Sequence, residues 1–220
     1  MLHIRPAAVA GAFYPADPRV LGAELDQLLA DAARAAHAPV FARAPKALIV
    51  PHAGYVYSGP VAARAYALLR PFAAQLRRVV LLGPAHRVRI DGLALPEADL
   101  FRTPLGDVRV DAAACAALRG LPRDAAAHLR EHSLEVQLPF LIRVLGDFTL
   151  VPLAVGLAEP DEVAAVLDAL WGGPETLIVV SSDLSHYLPY AVGRRVDTET
   201  AEAIVRLDQA PIAHERACGA

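Results

Sequence analysis

Short apolar runs alternate with amphipathic stretches along this chain. Leu21, Leu25, Leu28 and Leu29 recur at the spacing of one helix face, and Asp17-Pro18 ahead of them supplies a cap and a first-turn proline. A helix is therefore predicted over 20–36. The run Ala47-Leu48-Ile49-Val50 stops at Pro51 and reads as a buried strand. Residues 60–69 follow as a helix with proline in its first turn, and 78–83 as a second buried strand. Short strands are expected at 92–95 and 107–110, the latter opposite a Pro104-Leu105-Gly106 turn. Helices are expected over 112–119, 132–145 (one face carrying Leu134, Leu138, Leu141 and Leu145, interrupted by Pro139), 159–171 and 195–207. Strands are expected at 148–153 and 176–181. Continuous apolar strands between helices imply a sheet covered on both faces. The fold class expected is an α/β single-domain sandwich, its sheet mixed and largely parallel. No repeat or low-complexity linker divides the sequence, so 1–220 reads as one domain.

Composition narrows the function classes. With 220 residues and 55% hydrophobic positions, the chain has enough apolar surface to offset its ordering entropy, which excludes intrinsic disorder. Its 21 basic against 24 acidic residues, with no basic block, argue against nucleic acid as a partner. No apolar run reaches the roughly 18 to 20 residues of a membrane span. The first residues are broken by Arg5 and Pro6 and lack a secretory apolar segment. Two cysteines, Cys115 and Cys218, make no disulfide framework, so a cytoplasmic location is expected.

In open α/β sheets, sites collect just past the carboxyl ends of strands. Here those ends carry Pro51-His52-Ala53-Gly54-Tyr55, Gly83-Pro84-Ala85-His86 and Ser181-Ser182-Asp183-Leu184-Ser185-His186. Three histidines directly after buried strands point to metal binding or proton transfer, because a neutral imidazole offers a nitrogen lone pair near pH 7. His52 and His86 are expected close in space: if they follow neighbouring parallel strands, the strand spacing of ~4.8 Å brings them within reach of one ion. Glu131-His132-Ser133-Leu134-Glu135 lacks the two histidines four apart of a zinc-protease helix. It reads equally as helix capping around Ser133 or as polar support for a cleft. His3, His37, His128 and His214 read as structural. Ser58 lacks a nucleophile elbow, and no phosphate-binding glycine motif occurs.

The segments GAFYP, PHAGYVYSG, LGPAH, FRTPLGDVRVD, EHSLEVQLPF, SSDLSHY and ACG stand here in an order that resembles the Memo-like family, whose prokaryotic members are called AmmeMemoRadiSam system protein B. The likeness runs through nearly the whole chain. It implies a fold related to the class III extradiol dioxygenases, which are non-heme iron enzymes. It also implies association with an iron or copper ion. By position, the resemblance assigns metal ligation to His52, His86 and Cys218. Asp183 and His186 become the polar pair that handles protons, with Glu131, His132, Glu135 and Tyr55 supporting the site. A His/His/Cys set is softer than two histidines and a carboxylate and favours Cu(I) or redox-active iron, so ring cleavage is not expected. Family members continue for some tens of residues past the CG pair. This chain ends at Ala220, so the family's C-terminal extension is expected to be lacking.

Three functions follow as expectations. One is a copper- or iron-dependent oxidoreductase. Another is a non-enzymatic peptide- or partner-binding module built on a vestigial dioxygenase-like cleft. The third is a subunit acting with a radical-SAM protein and an AMMECR-type protein.

Overall fold

The computed structural model describes residues 2–34, 41–212 and 216–218. In chain order the elements are β1 (Ile4–Arg5), α1 (Pro18–Arg34), β2 (Ala47–Val50), α2 (Tyr55–Ala67), β3 (Arg78–Pro84), β4 (Leu93–Ala94), β5 (Leu100–Thr103) and β6 (Gly106–Val110). There follow α3 (Ala112–Ala117), α4 (Ala125–Leu129), a 3-10 turn (Glu135–Gln137), α5 (Leu138–Leu145), β7 (Thr149–Val155), α6 (Pro160–Leu170), β8 (Thr176–Ser181) and α7 (Tyr190–Arg206). A further 3-10 turn spans Arg70–Phe72. The strands form one sheet in the order β1-β5-β6-β7-β3-β8-β2, with β4 paired to the end of β7. Pairing is parallel except for β5–β6 and β4–β7. This is the mixed, mostly parallel α/β sheet with flanking helices that the apolar runs imply.

The central strands are apolar because helices cover them. Val79, Val80, Leu81, Leu150, Val151, Leu153, Leu177 and Val179 are inaccessible to solvent. Helices α1, α2 and α5 pack on one another, and Gly59 lets α2 approach Leu28 of α1: a Cβ there would stand 3.0 Å from the leucine Cδ1. Pro152 lies inside β7 without breaking it. On that side β6 pairs only with Thr149 and Leu150 and β4 only with Ala154 and Val155, so position 152 falls in a gap where no ladder partner needs the missing N–H.

Three expected boundaries shift for physical reasons. Helix α2 starts at Tyr55 rather than 60, with Pro60 inside it. The N–H that proline lacks would have met the carbonyl of Val56, a residue on the exposed face of the helix. The helix expected over 132–145 begins only at Leu138, behind the Glu135–Gln137 turn, with Pro139 in its first turn. Helix α7 starts at Tyr190, five residues early. Strands β1 and β5 and helix α4 are too short to leave a periodic signal. Residues 35 and 36 of the first predicted helix, together with His37 and His214, lie outside the described residues. Among the described residues, no helix is long and apolar enough to cross a membrane.

Candidate metal centre

Strands β2, β3 and β8 run parallel, so His52, His86 and the Ser181–Asp183 turn emerge at one edge of the sheet. The strands that lead to His52 and His86 are not neighbours, because β8 lies between β3 and β2. The two strands are thus about 9.6 Å apart, two strand spacings, and the imidazoles converge over the end of β8 with ring centroids 5.2 Å apart. Between them Ser181 holds the Nδ1 of His52 at 3.0 Å.

A third imidazole joins them. His132 stacks on His86 at 4.6 Å and meets His52 edge-on at 5.6 Å. One ligating atom from each of His52, His86 and His132 lies within 4.8 Å of the others. The segment carrying His132 reaches β3 because Gly83 has no side chain: a Cβ there would stand 2.8 Å from Ser133 Oγ. The capping reading of this segment is corrected. Ser133 heads no helix, and its hydroxyl donates to the Pro84 carbonyl at 2.8 Å. Glu131, almost fully buried, accepts from the backbone N–H groups of His86, His132 and Ser133 and from His86 Nδ1 at 2.9 Å.

Cys218 reaches this cluster at His86 and stands outside the group of three mutually close imidazoles. Its sulfur is 2.9 Å from His86 Nε2. Its N–H donates to the Asp183 carbonyl at 2.9 Å, and its own carbonyl accepts from Ser182 Oγ at 3.2 Å. These bonds tie the thiol to the turn after β8. Asp183 accepts from the backbone N–H groups of His52 and Ala53 through Oδ1, and its Oδ2 is 3.8 Å from both His52 Nε2 and His186 Nε2. His186 therefore borders the same cleft, with its side chain 46% exposed.

Glu135 and Tyr55 lie behind the cleft. Glu135 is fully buried, pairs with Arg5, and accepts from Tyr14 Oη and the N–H groups of Ala8 and Val9. Tyr55 donates to the Val136 carbonyl at 2.8 Å. Both side chains hold the backbone of 131–137 against its neighbours, and neither touches the three imidazoles through these bonds. His128 is a structural histidine, as expected, bonded through Nε2 to the Ala94 carbonyl at 3.0 Å.

Burial governs the electrostatics. It holds His52 down to about 4, partly opposed by the charge of Asp183. It likewise lowers His132. His86 goes the other way, up to about 10, through its hydrogen bonds to Cys218 and then to Glu131. Burial pushes the Glu131 carboxyl up, but the bonds from His86 and Ser133 outweigh it and hold the group down to about 2. Glu131 is thus a fixed anion, and the proton on His86 Nε2 occupies a place an ion can take.

The donor set fits a transition ion. Among the described residues His52 Nε2 makes no hydrogen bond, the Asp183 carboxylate being 3.8 Å away, and buried His132 Nδ1 makes none either, with Glu131 Oε1 at 3.2 Å. Imidazole and thiolate together suit copper, iron or zinc better than magnesium or calcium. Sequence reasoning placed His132 beside the ligands rather than among them, and it missed Ser181 and Gln137. The available signal was chemical: Gln137 is a polar residue within the otherwise apolar run Val136 to Leu138, and such a residue is buried only if it is bonded.

A mostly parallel α/β sheet here gathers three imidazoles and a thiol, all potential metal donors, at the carboxyl ends of its strands. The family model for Memo-like protein matches residues 5–215, and the chain belongs to that family. Curated relatives agree. It is 36% identical to a MEMO1 family protein of Ignicoccus hospitalis over 219 residues, covering 93% of this chain and 76% of the relative. The MEMO1 family protein of Aquifex aeolicus is 36% identical, at 94% and 76% coverage. That of Methanosarcina barkeri is 37% identical, at 93% and 76% coverage.

Proposed function

We propose that this chain is a metal-dependent redox protein, in which His52, His86 and Cys218 hold one copper or iron ion and His132 stands ready as a further imidazole donor. The observation that carries this reading is the convergence of three imidazoles and a thiol at one sheet edge, with the far nitrogen of His86 held by buried Glu131. When bound, such an ion supplies one-electron chemistry and a place for O₂ or a small substrate. The protein's own part is to orient and to move protons. Asp183 is positioned between His52 and His186, and half-exposed His186 exchanges its proton with solvent. We further propose, from the family resemblance alone, that this chain acts together with a radical-SAM protein and an AMMECR-type protein.

The test is metal content of the protein as purified and after reloading. Wild type is expected to hold close to one copper or iron per chain. His52→Ala, shown to be folded by circular dichroism, is expected to hold almost none. Equal metal content in both would overturn the reading.

A second reading has its own observation. Tyr187, Leu188 and Tyr190 are exposed around a hollow of about 510 Å³ next to His186, also lined by Arg194 and Asp197. Exposed aromatics with a charged rim suit a peptide or a partner's tail. Under that reading the cleft binds without turnover, and the metal-free protein retains the interaction.

A further inference from the structure

His52 is a ligand only if the right nitrogen is bare. Neutral imidazole carries one proton, and which nitrogen holds it depends on what the other atom faces. Here the hydrogen-bond inventory around His52 leaves a single solution. Gln137 is buried, and its Nε2 faces the carbonyls of Pro51 at 3.0 Å and Val50 at 3.4 Å. Only the amide nitrogen can face two carbonyls, so the side-chain orientation is fixed, and Gln137 Oε1 accepts from Tyr66 Oη at 2.8 Å. The same Nε2 donates to Ser181 Oγ at 2.8 Å. Ser181 in turn gives its single proton to the Ser133 carbonyl at 2.6 Å. A hydroxyl has one proton and two lone pairs. One lone pair is taken by Gln137 and the proton by Ser133, so Ser181 can only accept from His52 Nδ1, 3.0 Å away.

We propose that Ser181 is a positioning residue which, held as an acceptor by Ser133 and Gln137, fixes His52 as the Nδ1–H tautomer and so presents the bare Nε2 to the cleft before any ion arrives. This deepens the metal reading and, for its consequence on affinity, rests on it. Tyr66, Gln137, Ser181 and Ser133 are all at most 1% exposed, so no water competes for these bonds. The arrangement joins α2, the 3-10 turn before α5, and the end of β8 to one imidazole. His86 reaches the same end by another route, with the Glu131 carboxylate as its acceptor. The site thus orients its two strand-end imidazoles with one neutral and one anionic acceptor.

Two-bond ¹H–¹⁵N correlation spectra of metal-free, ¹⁵N-histidine-labelled protein read the tautomer directly, with His52 assigned by its loss in His52→Ala. The expected result is a protonated Nδ1 and a bare Nε2 in wild type. Ser181→Ala is expected to show a mixture of tautomers and about 10- to 100-fold weaker cobalt binding. Ser181→Thr, which keeps the hydroxyl, should restore both. A wild-type His52 protonated at Nε2 would overturn the proposal, and this outcome needs no variant to fold. Unchanged tautomer and cobalt affinity in folded Ser181→Ala would overturn it too. A wild type with the Nδ1–H tautomer that binds no cobalt supports the tautomer assignment while contradicting the metal reading.

Discussion

The histidines packed into this fold take their chemistry from one or two neighbours. His86 is held between a buried carboxylate and a thiol, and its pKa rises. His128, 2% exposed, has one carbonyl partner and a buried Nδ1 with none, so burial pushes it down to about 4. The sign for stability follows. An unfolded histidine titrates near about 6.5, so between there and about 4 the unfolded chain binds more protons than the folded one. The contribution of His128 is fully present above the unfolded value and is lost as pH falls through the folded one, with a full effect of roughly 3 kcal/mol. His52 acts in the same direction. His86 adds no slope there, because it is protonated in both states. Urea unfolding of metal-free protein is expected to show lower stability at about pH 4.5 than at about pH 6.5. His128→Gln should flatten that slope by close to one proton, and an unchanged slope in the variant contradicts the account.

At the scale of elements, the site depends on how closely segment 131–135 lies against the end of β3. Gly83 sets that approach, since a Cβ would stand 2.8 Å from Ser133 Oγ and 3.0 Å from Leu134 Cδ2. Gly83→Ala must push the segment that carries Glu131 and His132. Such overpacking costs roughly 1 to 3 kcal/mol, so a lower Tm and weaker metal uptake together are expected. A variant with wild-type Tm and uptake would show that the segment has room to spare. The same elements mark what sequence could and could not convey. The long apolar runs of β3, β7 and β8 were legible because burial on both faces leaves polar residues only at their ends. The strand-end histidines His52 and His86 were legible because a strand must end at the sheet's edge. The place of His132 within the imidazole cluster, rather than behind it, was not legible. It depends on a close approach between segments about fifty residues apart, permitted by a glycine that reads locally as the end of a strand. Ser181 likewise looked like one serine of a turn, since its role arises from three partners that meet only in the fold.

Across the whole molecule, the four pieces of the centre come from β2, β3, segment 131–135 and the residues after α7. The turn after β8 links them through Asp183, whose side chain holds the backbone of His52 and whose carbonyl holds Cys218. An ion on His52, His86 and Cys218 would therefore join chain segments more than 160 residues apart in sequence and bind only the folded state, adding its binding free energy to stability. Cys115 takes no part: it is buried, and burial pushes its thiol up to about 11. The most direct measurement is titration of metal-free protein with cobalt(II), followed by absorption. The account predicts saturation at about one ion per chain with a thiolate-to-metal charge-transfer band. That band should vanish in Cys218→Ser, and binding itself should vanish in folded His52→Ala. Saturation of wild type with no such band, or binding that His52→Ala leaves intact, would contradict the assignment of this centre.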